Sequence, residues 1–210
     1  MAEKRDAERT RNRLLEVATR EFALHGYEGA RVTRVVRAAR VTARMLYHYF
    51  GDKEGLYVAV LDSVYAQIRD GERELFLSSG DASEALERFV TFTFDFFQEN
   101  DIFVRLTQGE NLMAGRHIKQ SRMIQDMSKP LITTLDALIA RGVAEGTFRE
   151  HVDAMQLYVS IVAISAHHIN NMHTLSAVFG FDLSAEDWIR ARRAHAVSMV
   201  LRYVGAKERD

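Results

Sequence analysis

Residues 32–50 read VTRVVRAARVTARMLYHYF, with arginine at 34, 37, 40 and 44 and aromatic rings at 47, 49 and 50. Arginine donates bidentately to a guanine edge or pairs with phosphate, while tyrosine and histidine donate to phosphate oxygens or bases. The chemistry on offer is recognition of a polyanion, not the making or breaking of bonds. Threaded between these residues, Val32, Val35, Val36 and Ala39 repeat at i, i+3, i+4 and i+7, which makes one apolar helical face and turns Arg34 and Arg37 away from it. Val41-Thr42 breaks the pattern, and Thr42 is a good N-cap for a second helix. There Leu46 and Phe50 share the inner face with Met45 and Tyr49 on its flank, and Ala43, Arg44, Tyr47 and His48 form the outer face. Two short helices joined by about three residues, with donors near the start of the second, describe a helix-turn-helix whose second helix enters the major groove. The small Ala43 allows close approach to base edges. Lys53, after Gly51-Asp52, falls at the start of the next helix, where its ammonium and free backbone N–H groups can share one phosphate. A merely solvated basic face, with Tyr47 and Tyr49 as packing rings, gives the same pattern.

The chain that must position this stretch has 210 residues, 47% of them hydrophobic and 27% charged, as expected of a globule with a real core. The longest apolar run, LYVSIVAISA, breaks into HHINN, so no membrane-spanning helix is expected. The first residues, MAEKRDAERTRNR, carry no apolar signal core. Cysteine is absent, which excludes disulfides and thiolate metal sites and fits a reducing, cytoplasmic setting. Net charge is −1, but its distribution is uneven. Residues 1–53 hold twelve Lys and Arg against seven Asp and Glu; the remainder holds sixteen against twenty-two. A basic first quarter on an acidic remainder is the asymmetry of a polyanion-binding module joined to something else.

One proline, twelve glycines and abundant Ala, Leu, Glu and Arg favour helix throughout. Leu15, Ala18 and Phe22 mark a first helix that Gly26 stops. A long helix runs from Leu56 to Leu77. Asp81 and Glu84 offer a capping box for the helix carrying LERFVTFTFDFF. Further helices run from Ile102 to about Ala114, from about His117 to Arg141 with an interruption near Pro130, over about 152–177, and over about 185–205 behind a second capping box of Ser184 and Asp187. No alternating strand pattern of any length is present. The expectation is an all-α protein of nine or ten helices, with an N-terminal three-helix domain over 1–53 and a larger helical bundle over 54–210.

The segment FALHGYEGARVTRVVRAARVTARMLYHYFGDKEGLYVAVL resembles the N-terminal domain of the TetR (tetracycline-repressor-like) family of bacterial transcriptional regulators. The match runs from about residue 8 to 62, and LYHYF followed three residues later by KE is its most specific part. The resemblance implies a three-helix DNA-binding domain joined through a long fourth helix to a ligand-binding and dimerisation bundle. It also implies a homodimer on a palindromic double-stranded operator, released by a small-molecule effector, with repression as the family tendency. Carried over by position, Ala43, Arg44 and Thr33 read bases, and Thr42, Tyr47, His48, Tyr49 and Lys53 hold the phosphate backbone. Two departures stand out. Where the family usually has glycine in the turn this chain has Arg40, and a left-handed non-glycine costs on the order of 1 kcal/mol, which a phosphate contact would offset. Where the family often has Ser or Thr and then an acid at the start of the second helix, this chain has Arg31 and Arg34. Four arginines spaced by three spiral around a helix, so they cannot all face DNA.

In the remainder, the last two long helices carry Met, Ile, Val and Tyr on more than one face, a pattern of a well-packed monomer core or of a dimer interface, and the resemblance implies the dimer. Phe89, Phe92, Phe94, Phe96 and Phe97 surround one helix, a pattern of plain core or of a pocket wall. The polar intrusions are sharper. HHINNMH and GENLMAGRH set polar side chains into apolar helices, and buried polar groups need partners. The effector-contact candidates are Phe96, Glu110, Asn111, His117, His167, His168 and Asn171. Hydrogen bonds across a dimer, or simple exposure to water, would satisfy the same polar groups. His167 and His168 are adjacent and His173 lies further on, so the i, i+3 or i+4 pairing of a metal site is absent and neither metal nor cofactor is expected. No phosphate loop or serine elbow suggests an enzyme. A helical adaptor whose basic helices read no sequence remains the alternative to a regulator.

Overall fold

The computed structural model describes residues 2–76 and 80–206. The described residues form ten α-helices: α1 Ala2–Gly29, α2 Val32–Ala39, α3 Ala43–Phe50, α4 Lys53–Phe76, α5 Ala82–Glu99, α6 Asp101–Leu112, α7 Arg122–Ala144, α8 Ala154–Asn170, α9 Met172–Phe179 and α10 Glu186–Val204. A 3-10 turn spans Ile118–Gln120, and an isolated bridge pairs Phe148 with Gly205. The fold is all-α, as the periodicity demands.

The chain forms two compact units, residues 1–67 with 101–126 and residues 68–100 with 127–210. The first therefore runs beyond residue 53 and takes in α6, while α4 and α7 each contribute to both. In the first unit, Leu14, Ala18 and Phe22 of α1 are buried, as are Val35 and Ala39 of α2, Leu46 and Phe50 of α3, and Leu56, Tyr57, Val60 and Leu61 of α4. The predicted apolar faces of the two short helices are thus the faces that pack. The second unit is centred on Leu86, Phe89, Val90 and Phe94 of α5, packed with Leu135 of α7, Leu157 and Ile161 of α8 and Val200 of α10. Each such side chain contributes roughly 1.5–3 kcal/mol by leaving water.

Local signals account for most boundaries. Thr42 caps α3, its hydroxyl accepting from Met45 N–H at 3.4 Å. Asp81 caps α5 by accepting from Glu84 N–H at 2.8 Å, and Asp153 caps α8 through Gln156 N–H at 2.7 Å. At Gly26 (φ 65°, ψ 175°) the backbone leaves helical geometry and the long first run ends as expected, with one more turn following to Gly29. Other boundaries differ from expectation. Pro130 does not interrupt α7; it sits on an exposed face while Leu131, Leu135 and Leu138 carry burial straight past it. The single helix expected over 152–177 is two, broken at Asn171 (φ −119°, ψ 12°), whose amide donates to His167 O at 2.9 Å. The Ser184–Asp187 box does not form, because Ser184 gives both its N–H and its hydroxyl to Asp182 and α10 starts at an uncapped Ala185. The expected end of the fourth helix at Leu77 lies outside the described residues.

Candidate nucleic-acid interface

The α2–α3 pair is closed by a Schellman turn: Arg40 N–H donates to Arg37 O at 3.2 Å and Val41 N–H to Val36 O at 3.1 Å. Arg40 is the left-handed residue that this motif requires (φ 52°, ψ 47°). The start of α2 is held differently. Arg31 makes no side-chain cap, and the missing acceptor comes from α1. Glu21 Oε1 takes Arg31 N–H at 2.8 Å and Arg34 Nε at 2.7 Å, and Arg34 Nη2 also donates to Gly29 O at 2.7 Å. Burial pushes the Glu21 carboxyl up, but the Arg34 guanidinium and the Arg31 N–H outweigh it and hold the group below its ordinary 4.5. Nothing in the local pattern marks Glu21. The signal was negative: a helix start with no Ser, Thr, Asp or Asn must find an acceptor elsewhere.

This arrangement sorts the arginines. Arg34 is occupied within the fold. Arg31, Arg37, Arg40 and Arg44 are exposed, and their guanidinium groups make no ion pair among the described residues. Thr33, Thr42, Ala43, Arg44, Tyr47 and His48 are exposed, Tyr47 by 49%. Tyr49 is half-buried, its ring 5.3 Å from His48 and 6.3 Å from Phe50. Lys53 is half-buried as well. Its ammonium donates to Glu28 O at 3.4 Å and sits 4.8 Å from the Tyr27 ring centre, while Asp52 caps α4 by accepting from Gly55 N–H at 2.7 Å. The outer face of α2–α3 is therefore a strip of unpaired cations and hydroxyl donors on a rigid base. A double helix carries one phosphate charge per about 1.7 Å of axis, and such a strip is electrostatically and geometrically suited to it.

The seven effector candidates fall in different places. Glu110 and His117 are in the first unit and bind one another, Nδ1 to Oε1 at 2.7 Å. Glu110 also accepts from the backbone N–H groups of His117 and Ile118. The His117 ring lies 4.3 Å from Tyr27 and 4.8 Å from Tyr57. Burial, then the charge of Glu110, pushes the Tyr57 hydroxyl well above its usual range. Asn111 is exposed. In the second unit His167 is exposed, Asn171 ends α8, and Phe96 is half-buried against Phe92 and Phe97. His168 is buried at 4%, stacked on Phe94 at 5.0 Å and 5.4 Å from Trp188. Neither of its ring nitrogens has a hydrogen-bond partner among the described residues. Burial first, then Arg192 and His167, lowers its pKa to about 4. One polar cluster went unforeseen: Arg69 binds Glu72 at 2.5 Å and the Tyr158 hydroxyl at 3.1 Å, and burial, opposed by Arg69, raises Glu72 to about 7.

The chain is similar to known regulators over nearly its whole length. Residues 14–60 match the bacterial regulatory proteins of the tetR family, and residues 83–200 match the tetracyclin repressor-like C-terminal domain. The HTH-type transcriptional repressor NicS of Pseudomonas putida is 32% identical over 187 residues, covering 87% of this chain and 88% of that protein. The HTH-type transcriptional regulator RutR of Escherichia coli is 27% identical over 176 residues, 82% of this chain and 80% of that protein. A TetR family transcription regulator from Marinobacter aquaeolei has the same fold, with a TM-score of 0.71 at 22% identity over 99% of this chain and 100% of that one. With the exposed cationic helix pair at the N-terminus and helices throughout the rest, these matches place the chain in the tetR family of bacterial transcriptional regulators.

Proposed function

We propose that the protein is a homodimeric repressor that occupies a palindromic operator in the cytoplasm and leaves it when a small molecule binds the helical C-terminal region. The carrying observation is the unpaired donor face of α2–α3: Arg44 and Tyr47 are exposed and pair with no acidic side chain among the described residues, while the Glu21 carboxylate is engaged by Arg34. In this reading Arg44, Ala43 and Thr33 meet base edges, and Thr42, Tyr47, His48, Tyr49 and Lys53 hold the backbone. NicS is itself named a repressor, which favours repression over activation.

Dimerisation is read from α8 and α10, where Met155, Val159, Met199 and Tyr203 expose about half their surface. Large apolar side chains left in water on two long helices fit an isologous interface. For the effector, His168 carries the most weight, since a ligand could supply partners for its two buried nitrogens. Phe96, Asn171 and His167 stand on nearby stretches of the same unit. Glu110, Asn111 and His117 are weaker contacts in this reading, because Glu110 is already satisfied by His117. The continuous helix α4 joins the DNA-binding unit to the second unit, so a ligand that favours one setting of α4 changes how well both half-sites are met.

The test is a titration of labelled duplex with the parent and with Arg44→Ala, Tyr47→Ala. The double variant should melt as the parent does and lose at least tenfold in affinity, about 1.4 kcal/mol. Undiminished binding by a folded double variant would leave the adaptor reading in place.

A further inference from the structure

The arginines around the turn are not equivalent in backbone cost. Arg40 alone occupies the left-handed region, at φ 52° and ψ 47°. Any residue with a Cβ is penalised there, and glycine closes the same turn freely. The Arg40 side chain returns nothing to the fold: it is exposed and makes no hydrogen bond or ion pair among the described residues. Its backbone N–H serves the Schellman turn, but a glycine N–H would serve it equally. Strain retained without a folding return points to the adjoining surface.

That surface is the start of α3. Arg40 lies two residues before Thr42, the N-cap, so the two Cα atoms are within about 7 Å of each other. The free N–H groups at that end and the exposed Arg37 and Arg44 on either side make the neighbourhood electropositive. No acidic side chain is paired with any of these three guanidinium groups among the described residues. Arg34, by contrast, is bound to Glu21 and Gly29 and takes no part.

We propose that Arg40 is a DNA phosphate contact: its guanidinium takes a backbone oxygen flanking the groove that α3 reads, and the left-handed backbone is what directs it there. The inference rests on the DNA-binding reading of α2–α3 and adds a residue to it. As a phosphate contact, Arg40 positions the domain without selecting sequence. Its effect should therefore be the same on any duplex.

The full chain, Arg40→Gly, Arg40→Lys and Arg44→Ala are titrated by fluorescence anisotropy against a labelled mixed-sequence duplex of about 30 base pairs at salt between about 50 and 200 mM, with a thermal melt of each. Arg40→Gly should melt higher than the parent because the strain is gone. It should nevertheless bind several-fold more weakly at the lowest salt, and the slope of log K against log salt should be shallower by about 0.9. Arg40→Lys should melt with the parent and keep its slope. A glycine variant with the parent's affinity and slope overturns the proposal, and one that melts lower removes the strain argument and overturns it too. A parent that binds no duplex refutes the DNA-binding reading itself, and is told apart because the failure is then common to every protein in the series.

Discussion

At Arg31 the helix begins without the oxygen it needs, and Glu21 supplies one from another helix. The same carboxylate engages Arg34, so one acid both starts α2 and decides which arginines remain free. Glu21 is 10% exposed and Arg34 42%, so water screens the pair in part. Glu21→Gln should therefore cost about 1 kcal/mol, read as a lower urea midpoint at unchanged m-value. The sign with pH follows from the lowered carboxyl. Its contribution is complete above the ordinary value of 4.5 and is lost as pH falls through the lower folded value. Parent and variant should then converge in acid; a gap that stays constant to the lowest pH at which both fold would contradict the assignment. His168 obeys a related rule. The unfolded ring takes its proton near 6.5 and the buried ring only near 4, so this ring's contribution to stability is complete above about 6.5 and falls across that window as pH drops, against the opposite trend of the raised Glu72. The fall is on the order of 1.4 kcal/mol per pH unit at most. His168→Phe should flatten it, measured as urea midpoints at about pH 7 and pH 5; an unchanged slope would place the titrating group elsewhere.

Among the helices, packing outvotes propensity wherever the two disagree. Gly142 lies inside α7, where alanine would ordinarily gain about 1 kcal/mol. A Cβ there would stand 2.1 Å from Cδ2 of Phe148, a ring only 3% exposed and held in the core of the second unit. Gly142→Ala should therefore destabilise by about 1–3 kcal/mol. A melting point at or above the parent's would show that Phe148 can move aside. This competition also explains what could be read from the chain alone. Thr42 and Asp81 were legible as caps because a cap is made within four residues. The apolar faces of α2 and α3 were legible because their period is local. The continuity through Pro130 and the break at Asn171 were not, since one depends on Leu131 and Leu135 being buried beyond the proline and the other on an amide bonding back to His167. The donor face of α2–α3 could be named from residue types. The effector candidates were harder: polarity among apolar neighbours singled out Glu110 and His117, but not that Glu110 uses its carboxylate on His117.

Over the whole chain, charge, symmetry and length divide the work. The basic residues are densest in the first 53 positions, so net charge is positive there and negative beyond, which disfavours the remainder as a competitor for DNA phosphate. A single copy presents one short recognition helix, and three or four side chains on eight residues specify few base pairs. In the proposed homodimer a second copy doubles the site and imposes two-fold symmetry on it. In sedimentation the protein should run at twice the 24.0 kDa chain mass, and Val159→Glu with Met199→Glu should return it to the monomer, since these exposed residues of α8 and α10 cannot bury charge against each other. A double variant that stays dimeric would move the interface elsewhere. Reading of DNA by α2 and α3 in symmetric pairs is tested by selecting bound duplexes from a random pool with the parent, and with Arg44→Ala, Tyr47→Ala beside it. The parent should enrich one inverted repeat, its half-sites about one helical turn or a multiple of it apart, absent from the variant's pool. A parent pool with no enriched sequence, or an enriched sequence that the variant selects equally well, would contradict it.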